Sequence, residues 1–197
     1  MGACESLRPK FSKTYGAFWP QDFPSDPVNS DLQADDPAGL VAFSSRGPTK
    51  EHRVKPDLVA PGTCILSALS RRVAVAPTVF GKSSDPLFFF SSGTSMATPL
   101  VAGCVAVLRE TLVKQGVREP SAALVKAMLI NGAVELAGQY SPTEVGESPN
   151  NDSGYGRVDL AGSVISPGPD SSAGFGEGGP LKQGKKDGFS IDRKSVV

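Results

Sequence analysis

Residues 88–103 read FFFSSGTSMATPLVAG, and this stretch decides the fold. Its first part is a compact apolar run, typical of a buried strand, and the run ends at Gly93. From Thr94 onward, apolar residues recur at intervals of three and four, which predicts a helix that is apolar around most of its girth. Pro99 falls near the first turn, where a missing backbone N–H is tolerated. The stretch therefore predicts a buried strand, a tight turn and a central helix.

Ser95 stands at this junction of strand and helix, in surroundings that suit a nucleophile. Gly93 permits a close approach of the backbone, and the start of a helix presents unpaired N–H groups and a positive partial charge. A hydroxyl that attacks a carbonyl needs such groups because negative charge develops on the carbonyl oxygen, to which the backbone N–H of Ser95 is placed to donate. The alternative is a serine that caps a helix, which is the commoner role. Local physics alone leaves both roles open.

Four motifs, taken in order, resemble those of the subtilisin-like serine proteases, the subtilase family. The string GTSMATPLVAG at 93–103 resembles the nucleophile motif and the small-residue helix that follows it. FSSRGP at 43–48 and KPDLVAPG at 55–62 precede this string, and GYGRVD at 154–159 follows it. The resemblance covers about residues 40–160, and the wider string is similar to fungal or protist extracellular subtilases.

This resemblance implies an α/β fold of three layers, in which a parallel sheet lies between helices. It also implies hydrolysis of peptide bonds through an acyl-enzyme on Ser95. Gly93, Thr94 and Met96 belong to the same nucleophile and oxyanion motif. The motif differs from the G-x-S-x-G elbow of lipases, because Ala97 stands in place of the last glycine.

The same resemblance predicts that part of the catalytic domain is missing. In this family the triad runs Asp, His, Ser along the chain, and the motifs of the Asp, the His and the oxyanion Asn precede the serine. No H-G-T-type histidine segment occurs in the sequence. We therefore expect residues 1–165 to be the C-terminal portion of a subtilase domain without its N-terminal strands. Residues 166–197, rich in Gly, Pro, Ser and Lys, are expected to form a tail or the start of another domain.

A substitute triad within the chain would consist of His52, Asp57 and Ser95. His52 is the single histidine, but it lies among charged residues in a turn that we expect to be exposed. It also precedes the aspartate, which reverses the order of the family. We expect no base within about 3 Å of the Ser95 hydroxyl. Because a serine without a base is a poor nucleophile, the chain alone is predicted to be inactive towards a peptide or protein substrate.

Two other interpretations stay open. The chain could be a binding or regulatory module without catalysis, built on half of a subtilase fold. It could also be half of a split enzyme whose partner chain supplies the Asp, the His and the Asn. Both interpretations differ from that of a fragment of one protease. An upstream coding segment in the same reading frame that contains the missing motifs would support the fragment, and its absence would support the other two.

Composition limits the partners. Twenty Lys and Arg and twenty Asp and Glu cancel, which argues against nucleic acid or an anionic membrane. No stretch reaches eighteen uninterrupted apolar residues, so no membrane span is predicted. The string MGACES at 1–6 fits a myristoylation pattern with a neighbouring cysteine, but an interior strand edge is the favoured interpretation. For the full-length parent we expect an extracellular location.

No cofactor is predicted. The three cysteines have no zinc-site spacing and are expected to be buried free thiols. Residues 150–152 read NND and favour a turn over a calcium loop. Calcium in the full-length parent stays open.

Other patterns predict the remaining elements. Residues 7–39 lack a period and read as a long surface loop packed by aromatic rings. Short strands are predicted at 40–43, 54–60 and 63–68, and a second helix at about 120–131 with its buried stripe at Leu124, Val125, Met128 and Leu129.

Overall fold

The computed structural model of the chain describes residues 1–74, 76–136, 138, 145–166, 174–178, 183–186 and 188. Most of the predicted tail at 166–197 lies outside these ranges. The described residues form eight elements, which are, in chain order, β1 (Gly2–Cys4), α1 (Tyr15–Phe18), β2 (Val59–Pro61), β3 (Ile65–Ala68), β4 (Phe88–Ser91), α2 (Thr94–Lys114), α3 (Ala122–Asn131) and α4 (Leu160–Ser163).

A parallel pair of strands forms the centre of the fold. β1 and β2 pair in register, with Ala3 opposite Ala60, and both of these residues are buried. The sheet continues beyond β2 through single-residue bridges, since Arg157 bridges both Val59 and Val134. Parallel strands buried on both faces, with a helix in the connection, are typical of α/β proteins. The predicted α/β class is confirmed.

The second sheet is an antiparallel hairpin of β3 and β4, in which Leu66 pairs with Phe90 and Ala68 with Phe88. The prediction of a strand before Gly93 is correct, but the prediction that this strand is buried is wrong. Leu87 and Phe88 are 51% and 37% exposed. The reason is that the hairpin projects from the parallel sheet instead of joining it, so much of its apolar surface has no layer against it among the described residues.

The larger hydrophobic core lies between α2 and α3. The predicted stripe of α3 is confirmed, because Leu124, Val125, Met128 and Leu129 are all buried against Leu108 and Leu112 of α2. Burial of each such side chain contributes about 1.5–3 kcal/mol of transfer free energy. Ser121 caps α3 by accepting a hydrogen bond from the backbone N–H of Leu124 at 3.0 Å.

One long face of α2 is exposed, although the sequence predicts a central helix. Ala97, Leu108 and Leu112 are buried, whereas Leu100 and Val107 are 40% and 47% exposed. By length and composition α2 is also apolar enough to cross a membrane, which the sequence analysis did not predict. A single such helix is weak grounds for a span, because core helices of water-soluble domains have the same composition.

The long segment at 7–39 packs on the sheet through its rings, as predicted. Tyr15 is fully buried, and its ring makes edge contacts with Phe23 and Phe43. Phe18 stacks on Phe80, with ring centroids 5.0 Å apart and planes inclined by 7°. The short helix α1 within this segment was not predicted. The strand predicted at 40–43 is wrong, since only one bridge, from Leu40 to Cys4, forms there before the chain turns.

The N-terminal residues lie in the interior. Gly2 and Cys4 are buried in β1, in agreement with the strand-edge interpretation of the MGACES pattern. Burial raises the pKa of the Cys4 thiol to about 12, and that of Cys64 to about 11, so both thiols stay protonated at neutral pH. The prediction of buried thiols is confirmed for these two cysteines, while Cys104 is half-buried.

Glu5 is a fully buried carboxyl that ties the 7–39 segment to β1. Its Oε1 accepts a hydrogen bond from the Tyr15 hydroxyl at 2.7 Å. Its Oε2 accepts from the backbone N–H groups of Asp35 and Asp36 at 3.2 and 3.3 Å. Burial outweighs these donors and raises the pKa of Glu5 from 4.5 to about 7, with the nearby charge of Asp31 acting in the same direction.

Because the folded chain binds this proton more tightly than the unfolded chain, stability should fall as the pH rises from about 4.5 through about 7. We expect Glu5→Gln to flatten this dependence of the free energy of unfolding by up to about 3 kcal/mol, measured by urea denaturation across that pH range. Glu51→Gln is the control, since it makes the same substitution at an exposed carboxylate while leaving Glu5 intact. An unchanged slope in Glu5→Gln would contradict the role of the carboxyl.

Candidate functional site

The site is built at the passage from the β3–β4 hairpin into α2. Gly93 precedes the helix with φ 148° and ψ 161°, a conformation that is essentially confined to glycine. Its N–H donates to the carbonyl of Gly62 at 2.7 Å, and its carbonyl accepts from the N–H of Met96 at 2.9 Å. The turn is therefore fixed both to the end of β2 and to the first turn of the helix.

Ser95 is the second residue of α2, and it is exposed. No side chain caps this helix, because its N-cap is Gly93. The N–H groups at the start of a helix have no carbonyl partner within it and carry the positive end of the dipole. A carbonyl oxygen near the Ser95 hydroxyl would therefore meet donors and a favourable field. Ser95 does not act as the capping residue that the alternative interpretation required.

A shallow groove lies near the start of α2, with Met96, the neighbour of the serine in sequence, in its lining. It encloses about 190 Å³ between β3 and the first turns of α2. The lining side chains are mostly apolar and belong to Ile65, Leu66, Ser67, Met96, Pro99 and Leu100. Of the predicted motif residues, Gly93, Thr94, Ser95 and Met96 thus lie together at one end of α2, and Met96 also contributes to the groove wall.

Pro99 lies further into α2 than the sequence predicts. It is the sixth residue of α2 and not part of the first turn. Since proline has no N–H, the α-helical hydrogen bond to the carbonyl of Ser95 cannot form.

The KPD motif makes structural contacts that join the segment before β2 to two other parts of the chain. Partial burial alone would raise the pKa of Asp57, but hydrogen bonds from Lys126 and Lys55 outweigh burial and lower it. Lys126 belongs to α3, so Asp57 joins the segment before β2 to the second helix. The carbonyl of Asp57 also accepts a hydrogen bond at 2.9 Å from the N–H of Tyr155, within the GYGRVD motif.

The substitute triad does not assemble. His52 is exposed in a turn, where its N–H donates to the carbonyl of Thr49 at 2.9 Å. Within the described residues no hydrogen bond joins His52 to Asp57 or to Ser95. Residues 150–152 form the expected turn, in which Oδ1 of Asn150 accepts from the N–H groups of Asp152 and Ser153 at 2.9 and 2.7 Å.

Three residues around the hairpin escaped the sequence analysis. Cys64 has φ 49°, in the left-handed region that residues other than glycine rarely adopt. Ser92 accepts a hydrogen bond at its Oγ from the N–H of Cys64 at 2.8 Å, and Arg8 donates to the carbonyl of Cys64 at 3.2 Å. Cysteine gives no local signal for a positive φ, and Arg8 lies far from the hairpin in sequence, so no pattern could have shown this cluster.

An exposed serine at the start of a helix, after a strand and a glycine turn, is compatible with a nucleophile, since the helix start supplies donors for an oxyanion. Comparison with known families agrees, since the profile of the Subtilase family matches residues 26–161. The chain belongs to the subtilase family of serine proteases, as the motifs predicted.

The relatives are much longer than this chain. The serine protease/ABC transporter B family protein tagD of Dictyostelium discoideum is 35% identical over 125 residues, which is 57% of this chain and 7% of that protein. The minor extracellular protease Vpr of Bacillus subtilis is 34% identical over 168 residues, or 80% of this chain and 18% of that protein. The CspB protease of Clostridium perfringens, a solved structure, is 33% identical with a TM-score of 0.46, over 63% of this chain and 22% of that chain.

The backbone at Gly93 gives a direct test of the junction. We expect Gly93→Ala to lower the free energy of unfolding by about 1–3 kcal/mol, because alanine does not adopt this conformation without strain. Gly103→Ala, within α2, is the matched control and should raise stability by about 0.5–1 kcal/mol, since a methyl group there meets no atom within 4 Å. Thermal and urea unfolding measure both. Equal effects of the two substitutions would show that the turn is not held as described.

Proposed function

We propose that the chain is the nucleophile-bearing part of a subtilisin-like serine endopeptidase, with Ser95 attacking the peptide carbonyl to form an acyl-enzyme. The observation that carries this proposal is the exposed Ser95 at the uncapped start of α2, in a member of the subtilase family. The N–H of Ser95 would donate to the oxyanion. A protein or peptide is the substrate, as for the proteases to which the chain is similar.

The proton acceptor is proposed to come from polypeptide outside these residues. The sequence contains one histidine, and His52 makes no contact with Ser95 among the described residues. In triad enzymes of this kind, removal of the triad lowers turnover about 10⁶-fold. Loss of one oxyanion donor, here the family's Asn, costs about 3 kcal/mol more. The chain alone is therefore proposed to be catalytically incompetent.

The exposed face of α2 favours the presence of a further part of the fold that packs against it. Its first four turns present apolar or small residues to solvent, namely Pro99, Leu100, Ala102, Gly103, Ala106 and Val107. Contiguous apolar surface of this kind marks a site that another structure covers. We assign it to the N-terminal part of the same domain, which would complete the three-layer α/β/α arrangement. The proposed boundaries are residues 1–165 for this portion and 166–197 for a tail or further domain.

The two alternatives make different predictions. A binding or regulatory module would need neither a base nor a reactive serine, whereas a split enzyme would gain both from a second chain. Extracellular action is proposed by analogy with relatives such as Vpr, whose name describes an extracellular protease. No cofactor is assigned, and calcium is left to the full-length parent.

Labelling by a fluorophosphonate probe tests the role of Ser95. We expect no labelling of the 197-residue chain, because a hydroxyl without a base reacts slowly. The protein extended by its upstream coding sequence should be labelled at Ser95, and Ser95→Ala should abolish both labelling and peptide hydrolysis. Thr98→Ala is a control hydroxyl in the same helix, and its effect should be small. Peptide hydrolysis that persists in Ser95→Ala would overturn the proposal.

A second test addresses the exposed face of α2, which we propose is covered in the extended protein. We expect Gly103→Leu to be tolerated by the isolated chain, because open space surrounds this position. In the extended protein the same substitution should lower the yield of labelled enzyme at least about tenfold, since packed interiors do not accept a large added side chain. Gly103→Ala should retain most of the labelling. Full assembly of Gly103→Leu would place the missing part elsewhere.

A further inference from the structure

We propose that Arg8 positions the nucleophile by holding a strained joint at Cys64, at the base of the β3–β4 hairpin. This inference deepens the proposed function and rests on it for its catalytic consequence. It assigns a positioning role to Arg8 and Ser92, neither of which touches the reacting atoms.

The joint itself is the backbone of Cys64. Its φ of 49° lies in the left-handed region, which is unfavourable for a residue with a side chain. Such a conformation persists only where the surroundings fix it. Two contacts fix it here, because its N–H donates to Oγ of Ser92 at 2.8 Å and its carbonyl accepts from Nη1 of Arg8 at 3.2 Å. The residue is thus held on both of its peptide groups, and its side chain is buried.

Arg8 contacts β4 and the residue that precedes β3. Besides its bond to Cys64, which directly precedes β3, its guanidinium lies 3.9 Å from the centroid of the Phe90 ring in β4. A cation over an aromatic face contributes attraction that grows when the pair is withdrawn from water, and Arg8 is half-buried. The backbone of Arg8 is itself anchored, since its N–H donates to the carbonyl of Ala34 at 2.7 Å.

The contacts of Arg8 and Ser92 with Cys64, which we call the clamp, are connected to Ser95 by a short path along the chain. Ser92, which holds Cys64, is the neighbour of Gly93, and Gly93 donates to the carbonyl of Gly62 at 2.7 Å. Two hydrogen bonds therefore join the 62–64 segment to the 92–93 segment, and Ser95 follows two residues later. A change of φ at Cys64 would displace both hydrogen bonds and with them the start of α2. Misplacement of a catalytic group by 1 Å can lower the rate about 100-fold.

The catalytic test uses the extended, active protein and a chromogenic peptide p-nitroanilide. We expect Arg8→Gln to lower kcat about 10- to 100-fold while KM changes less than about threefold, with kcat normalised to the fraction of folded enzyme. Arg8→Lys should rescue only in part, because it keeps the charge but loses the planar group that both bonds and stacks. Arg53→Gln is the control, since the Arg53 side chain is exposed and pairs with the exposed Glu51 at 3.7 Å. An unchanged kcat in Arg8→Gln overturns the inference.

A double substitution separates positioning from general destabilisation. Glycine adopts a positive φ without strain, so in a Cys64→Gly background the clamp has less to hold. We expect Arg8→Gln to lower kcat less than about threefold in that background. The same loss in both backgrounds would show that Arg8 acts in another way, and would overturn the proposed joint.

A readout without activity keeps this inference distinct from the proposed function. In the 197-residue chain, Arg8→Gln should speed amide hydrogen exchange of Cys64 and Gly93 about tenfold or more, whereas Arg53→Gln should leave both rates unchanged. If Ser95→Ala keeps its activity, the proposed function fails even when exchange responds. If Ser95→Ala is inactive and neither exchange nor kcat responds to Arg8→Gln, the positioning role alone fails.

Discussion

The hydrogen bond from the N–H of Gly93 to the carbonyl of Gly62 is the contact that places the candidate nucleophile. It joins the end of the parallel sheet to the start of α2 at a distance of 2.7 Å. The approach leaves no room for a side chain, because a Cβ atom on Gly62 would lie 2.7 Å from that of Ala3. This bond and the bond from the Cys64 N–H to Ser92 Oγ together fix the sheet, the hairpin and the helix relative to one another. The candidate nucleophile follows Gly93 by two residues.

Local signals predicted the elements that carry their own periodicity. The stripe of α3 and the start of α2 at Thr94 follow from spacings of three and four residues together with a serine cap and a glycine break. The position of Ser95 followed from the same junction, and the family from four strings of residues in order. None of these inferences required knowledge of distant contacts.

The predictions that failed all concern what lies against an element. Apolar composition suggested that β4 and α2 are buried, but burial requires a second surface, and Phe88 and Val107 stay 37% and 47% exposed. The strand predicted at 40–43 failed because the chain turns after one bridge to Cys4. The positive φ at Cys64 and the clamp by Arg8 depend on tertiary contacts, which no local pattern of residues records.

The aromatic packing around Tyr15 bears on the order in which the molecule folds. The parallel pairing of β1 with β2 must bridge residues 5–58, and closing so long a connection is entropically unfavourable and slow. The ring contacts of Tyr15 with Trp19 and Phe23 span only a few residues. Their early collapse would shorten the effective loop before the strands meet. The 7–39 segment would then bring β1 closer to β2 before the two strands pair, which lowers the effective contact order.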